Sequence, residues 1–264
     1  MATEHLGTAL ITGGSSGIGA TYADRLARRG YDLVLVARDT ARMEALAARL
    51  RTETGVKIEV VTADLTDAVQ LAAVEARLRD DAAITLLINN AGAALPPGFA
   101  AVDADKLEWL IKLNITAPTR LTRAAAPRLA AQGGGAIVNI SSVLAVAPEF
   151  IPNIYSATKS YMLTFSQALQ VEYGPQGLYV QAVLPAATRT EIWERSGVPI
   201  EHVEGVMEVG ELVDAALTGF DRRESVTIPP LPDAALWDNF AAARVAMLPH
   251  FRQEHAAERY RKAA

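Results

Sequence analysis

The chain has 264 residues, half of them apolar, and a net charge of −5. That length holds one large α/β domain with a substantial core, and the apolar fraction excludes a disordered polymer. The acidic balance argues against a nucleic-acid partner, and the lack of cysteine excludes disulfides, thiol catalysis and cysteine-bound metal.

From the N-terminus, residues 1–7 show no basic-then-apolar leader, and no apolar run approaches ~18–20 residues. A cytoplasmic protein with no membrane span is expected. Strand-like runs stand at 6–11, 32–37, 57–62, 84–89, 136–141, 178–184 and 225–229. Helix-like, alanine-rich stretches lie between them at 16–29, 39–54, 67–80, 103–131, 153–173 and 208–219. Strand–helix alternation with right-handed crossovers predicts a Rossmann-type, doubly wound α/β fold: a mainly parallel seven-stranded sheet with helices on both faces. Residues 1–264 read as a single domain of this kind, with no Pro/Gly/Ser linker inside it.

The first strand, from Leu6 to Ile11, runs into Thr12-Gly13-Gly14-Ser15-Ser16-Gly17-Ile18-Gly19 and then a helix. Strand, glycine turn and helix N-terminus make an anion site suited to a pyrophosphate. The second strand, Asp32 to Ala37, is followed by Arg38. The end of this strand is where such folds meet the adenosine ribose, and a guanidinium suits a 2′-phosphate. NADP(H) is therefore expected over NAD(H), with Arg42 an accessory one turn on and Asp39 an alternative contact for the ribose.

Further along stand Ser142, Tyr155 and Lys159. On a helix Tyr155 and Lys159, four apart, share a face. A nearby ammonium lowers a phenol that otherwise titrates near pKa ~10, the direction needed for general acid/base work. A serine hydroxyl can hydrogen-bond and polarise a substrate carbonyl. Adjacent strand residues point to opposite faces, so Ser141 and Ser142 cannot both reach it, and spacing alone does not choose. Two apolar segments, Val143 to Ile154 and Ile192 to Met207, suggest a hydrophobic small-molecule substrate; Trp193 reads equally as pocket wall or as a cap on the fold. Pro229, Pro230 and Pro232 then introduce an extension, 229–264, in which Asp233 is a candidate cap for a helix carrying Leu236, Trp237 and Phe240. It is expected to pack on the domain or at a subunit interface. The four histidines lack metal spacing, so no metal is expected.

The motifs T-G-G-S-S-G-I-G at 12–19, N-N-A-G at 89–92, Asn114, I-S-S at 140–142 and Y-S-A-T-K at 155–159 resemble, in order, those of the short-chain dehydrogenase/reductase family, over about Leu6 to Thr190. The resemblance implies a catalytic tetrad of Asn114, Ser142, Tyr155 and Lys159, and favours Ser142 over Ser141. By it, Lys159 also holds the nicotinamide ribose, and Asn114 helps hold a water linking Lys159 to solvent. It places cofactor contacts at Gly13, Ser15, Ser16, Gly17, Ile18, Gly19, Asp64, Leu65, Asn90, Ala91, Gly92, Pro185, Thr188 and Thr190, beside Tyr155 and Lys159 themselves. It assigns 185–210 to substrate binding, and implies a homodimer or homotetramer. Two departures stand out: Ala186 where glycine is usual after Pro185, and Thr188 where an aliphatic residue is common. Together these imply an NADP(H)-dependent oxidoreductase interconverting an alcohol and a carbonyl; a non-catalytic NADPH sensor, or an epimerase or dehydratase, are the alternatives.

Overall fold

The computed structural model describes residues 6–96, 98–151, 153–196 and 199–261. Seven strands are β1 (Thr8–Thr12), β2 (Asp32–Ala37), β3 (Ile58–Thr62), β4 (Ile84–Asn89), β5 (Ala136–Ile140), β6 (Tyr179–Val183) and β7 (Val226–Thr227). The helices are α1 (Gly17–Arg28), α2 (Thr40–Thr54), α3 (Ala68–Asp80), α4 (Ala104–Ile111), α5 (Ala117–Ala131), α6 (Ile154–Tyr173), α7 (Ile192–Arg195), α8 (Val209–Asp221) and α9 (Ala234–Ala246). The strands form one parallel sheet in the order β3-β2-β1-β4-β5-β6-β7.

Two cores result from strand alternation, because successive side chains leave opposite faces of the sheet. Ile11, Leu35, Ile88 and Val138 pack with Tyr22 and Leu26 of α1, Met43 and Leu50 of α2, and Val213 of α8. Their neighbours Leu10, Val34, Leu87 and Ile137 pack with Leu71 and Leu78 of α3, Leu121 and Leu129 of α5, and Leu169 of α6. With both faces covered, the strands read as nearly continuous apolar runs.

Chain order reverses direction between β1 and β4. At such a switch point the loops leaving the two strands diverge and open a crevice at their C-terminal ends. Thr12 ties the two loops together: its Oγ1 accepts from the Asn90 and Ala91 amides, both at 3.0 Å, while Asn90 Nδ2 donates to Thr12 O at 2.9 Å.

The long helix expected over 103–131 is interrupted. A π-helical turn, Lys112–Thr116, separates α4 from α5. Pro118 supplies a reason: it has no N–H for the carbonyl of Asn114, its i−4 partner in an α-helix, and its ring crowds that carbonyl.

The chain divides into two compact units, Met1–Pro229 and Pro230–Ala264. In the second, the Asp233 carboxylate caps α9 by accepting from the Ala235 amide at 2.9 Å, and no residue of α9 is buried. Among the described residues no helix is long and apolar enough to cross a membrane.

Candidate active site

The crevice floor is the β1–α1 turn. Ser16 precedes α1 in extended conformation, its side chain makes no capping bond, and the first turn of the helix holds no acidic residue. The leading N–H groups of α1 therefore face the crevice with the positive end of the helix dipole. Gly17 has φ +53°, a region that disfavours side chains, and a Cβ on Gly19 would collide with Gly13 O. The turn is bare backbone, shaped for close approach by an anion.

Arg38 leaves the end of β2 largely exposed, with Nη1 3.9 Å from Asp64 Oδ2. Asp64 accepts from the Thr66 amide at 2.9 Å and the Thr66 hydroxyl at 2.7 Å. Burial works to raise its carboxyl, but the Thr66 bonds and then Arg38 outweigh it and hold the group below the usual range. Leu65 has its side chain in the core, so only its backbone is available to a cofactor. Asp39 is occupied as the cap of α2, accepting from the Arg42 amide at 3.0 Å. Arg42 pairs with Glu191, Nη1 donating to its carboxylate at 2.7 and 2.8 Å.

The crevice wall carries the four expected catalytic residues. Ser142 follows β5; its Oγ accepts from the Leu144 amide at 3.2 Å and donates to Pro185 O at 3.3 Å. Ser141 points elsewhere, donating to the Lys159 carbonyl at 2.7 Å. The two serines thus face apart as alternation demands, and Ser141 fastens α6 to β5. Tyr155 sits in the first turn of α6, where Asn153 caps the helix by accepting from the Tyr155 amide at 2.9 Å. One turn on, Lys159 is buried, with Nζ donating to Ile140 O at 2.8 Å and 5.4 Å from the Tyr155 ring centroid.

Asn114 lies buried in the π turn. Its amide is held on both sides: Oδ1 accepts from Ala93 N at 3.0 Å, and Nδ2 donates to Ala93 O at 2.9 Å and Thr158 Oγ1 at 3.1 Å. Both donors of Nδ2 are thus used within the protein, and Oδ1 has accepted one bond of the two it can take. Gly92 brings the group together, since a Cβ there would lie 3.3 Å from Asn114 Oδ1 and 3.7 Å from Lys159 Nζ.

Burial dominates the electrostatics. It pushes the Lys159 ammonium down to about 8 and the Tyr155 phenol up. The lowering of the phenol expected from the ammonium is not seen in this state: burial alone sets both directions, because groups removed from water resist charge.

After β6, Pro185 O receives the Val143 amide at 2.9 Å. Thr188 is buried, with Oγ1 donating to Ala186 O at 3.0 Å. The Trp193 indole donates to Thr188 O at 2.8 Å, fixing this loop. The methyl of Thr190 covers Gly17, 3.2 Å from where a Cβ would be. Residues 197 and 198 of the expected 185–210 substrate region lie outside the described residues. Among those described, no cluster of His, Asp or Glu has the arrangement of a metal site.

Three contributors are not singled out from the sequence. Thr12 stands inside the glycine motif, but its tie to Asn90 and Ala91, like the pairing of Glu191, is a long-range contact that no local pattern announces. Thr158 has a signal: three residues after Tyr155, it shares that helix face, and its Oγ1 donates to Tyr155 O at 2.8 Å.

A family model described as short chain dehydrogenase matches residues 7–198. Among solved structures, the chain is similar to a short-chain dehydrogenase from Sphingobium yanoikuyae in complex with NADPH, with 61% identity, TM-score 0.95, 97% of this chain and 100% of that one covered. It is also similar to the bulky-bulky ketone specific alcohol dehydrogenase from Comamonas testosteroni, with 54% identity, TM-score 0.91, and 98% and 100% covered. Among curated proteins, 17-beta-hydroxysteroid dehydrogenase type 3 of Rattus norvegicus is 33% identical over 185 residues, 69% of this chain. The match spans 60% of that relative's length.

Proposed function

The chain belongs to the short chain dehydrogenase family, and from that footing we propose that it is an NADP(H)-dependent oxidoreductase acting on ketones whose carbonyl lies between two bulky, hydrophobic substituents. The observation that carries the reading is the meeting of Ser142, Tyr155, Lys159 and Asn114 at the same crevice as the bare β1–α1 turn. The NADPH complex of the Sphingobium relative and the ketone preference named for the Comamonas relative support it. The exposed side chains of Val146 and Phe150, between Ser142 and Tyr155, supply an apolar surface for large substituents.

The residues fit the dinucleotide. The first turn of α1 would hold its pyrophosphate, Arg38 its 2′-phosphate, Asp64 its adenine, and Lys159 its nicotinamide ribose. When bound, the nicotinamide supplies or accepts the hydride at the substrate carbon. Ser142 keeps its Oγ fixed by the Leu144 amide and turns its proton from the long bond to Pro185 O toward the substrate oxygen. Tyr155 Oη gives that oxygen a proton in reduction and takes it back in oxidation. Lys159, a cation at neutral pH, stabilises the phenolate so formed, and Asn114 orders the water that resupplies the proton. We place the enzyme in the cytoplasm as a homodimer or homotetramer.

Initial rates with purified protein test the reading. Ketones bearing two large substituents, ketones bearing one, and keto-sugars would each be offered with NADPH and NADH. Turnover concentrated in the first class and with NADPH is expected. NADPH binding without turnover of any ketone would overturn the activity, and equal rates with NADH would overturn the role of Arg38.

A further inference from the structure

Arg42 stands in the first turn of α2, just after β2, and Glu191 stands in the loop after β6. In the sheet these two strands are separated by β1, β4 and β5. At ~4.8 Å per strand their ends are on the order of 19 Å apart. Yet the side chains meet: Arg42 Nη1 donates to Glu191 Oε1 at 2.7 Å and to Oε2 at 2.8 Å. A contact between these loops has to pass beyond the first turn of α1. Glu191, Thr190 and Leu46 of α2 line one hollow there, with Gly17, Ala20 and Thr21.

Arg42 is not poised as a phosphate ligand. Besides the two bonds to Glu191, its Nε lies 3.4 Å from Asp39 Oδ2. Two carboxylates already compensate one guanidinium, and both belong to the protein. Arg38, four residues earlier, has among the described residues only the 3.9 Å approach of Asp64. The two arginines therefore have different work: one faces an anion from outside, the other holds a loop.

The held loop matters. Thr190, beside Glu191, covers Gly17 at the start of α1. Thr188, two residues before that, is fixed by Trp193. Movement of Glu191 away from Arg42 would lift the segment lying against the pyrophosphate end of the crevice.

We infer that the Arg42–Glu191 ion pair is a strap joining the adenosine side of the crevice to the loop after β6, and that it sets how fast a bound dinucleotide leaves. The pair consists of positioning residues: neither touches the reacting atoms. This rests on the cofactor reading above, since a strap needs something to retain. Because it acts on the loop and not on the 2′-phosphate, it slows release of NADPH and NADH alike. Because the Arg42 side chain is 50% exposed and that of Glu191 37%, the pair is sensitive to salt.

Stopped-flow release of each dinucleotide from the full chain, followed by nicotinamide fluorescence, tests this with Arg42→Gln, Glu191→Gln and the double variant. Each single variant is expected to release both dinucleotides about twofold to fivefold faster, as loss of an exposed ion pair allows. The double variant should be no faster than either single one, since both remove the same contact. The gap from wild type should close at high salt. Faster release of NADPH alone in Arg42→Gln would make Arg42 a phosphate ligand and overturn the strap. Slower release of NADPH alone in Glu191→Gln would make Glu191 a competitor of the phosphate and would overturn the strap too. Unchanged release in every variant would reduce the pair to surface decoration. Failure of the wild-type protein to bind either dinucleotide would overturn the cofactor reading and the strap with it, an outcome distinct from binding with unaltered release.

Discussion

Lys159 holds a charge that its surroundings resist. Burial lowers it from 10.5 to about 8, with Ile140 O its hydrogen-bond acceptor. The folded chain therefore binds fewer protons than the unfolded chain between these values and gains stability as pH rises through that window. At neutral pH the buried ammonium costs on the order of 3 kcal/mol. Lys159→Met, inactive, should be more stable than wild type by that order near pH 7, with the gap closing toward pH 10. Denaturant titrations of the two proteins across pH 7–10 measure it, and parallel stability curves would refute it. The raised phenols of Tyr22 and Tyr179 are common to both proteins and cancel. The spacing of Tyr155 and Lys159 was legible in the sequence; the balance between ammonium and burial was not, because it depends on walls supplied by β5 and by the loop after β4.

At the scale of elements, the β1–α1 unit has the tightest requirement. Gly19 packs against the Gly13 carbonyl so closely that a methyl group has no room. Gly19→Ala is expected to cost on the order of 2 kcal/mol or more and to abolish dinucleotide binding by displacing the turn. Gly55 provides the contrast: φ is +77°, but nothing lies within 4 Å of a Cβ. Gly55→Ala should cost only ~1–2 kcal/mol of backbone strain and leave binding intact. Thermal unfolding and fluorescence titration of the two variants decide; equal effects on binding would contradict the close-packed turn. The glycine pattern showed this turn in advance because only glycine satisfies such contacts. The π turn at Lys112–Thr116 was not legible because alanine-rich flanks mask it, although Pro118 marks where the α-helical ladder loses a donor. The loop after β6 was legible as a region, whereas the bond from Trp193 to Thr188 O and the pair with Glu191 emerge only in three dimensions.

Across the whole molecule, all seven strand-like runs became strands, because a sheet covered on both faces prints long apolar runs into its sequence. Strand order follows from crossover handedness and chain reversal at β1 and β4, and this places Gly17, Asn90 and Ser142 on one edge. The C-terminal unit was readable as a capped helix, with Asp233 in place, but its apolar side chains are exposed: Leu236, Phe240 and Val245 of α9 all stand open to solvent. Val171 on α6 is 79% exposed as well. Exposed apolar side chains gathered on one short helix suit association, whereas a single one such as Val171 is ordinary. Light scattering on the eluting protein is expected to give two or four times the monomer mass, and a monomer at micromolar concentration would exclude the homo-oligomer.

The central claim is that Tyr155 moves the proton while the rest of the crevice binds and orients. Tyr155→Phe keeps the ring and removes the hydroxyl, so turnover and binding separate cleanly. Steady-state NADPH oxidation with a two-bulky-substituent ketone, measured beside the NADPH dissociation constant, tests this directly. The account predicts turnover reduced by roughly 10³-fold or more, within the range of lost general-acid catalysis, with NADPH affinity nearly unchanged. Turnover close to wild type in that variant would contradict it.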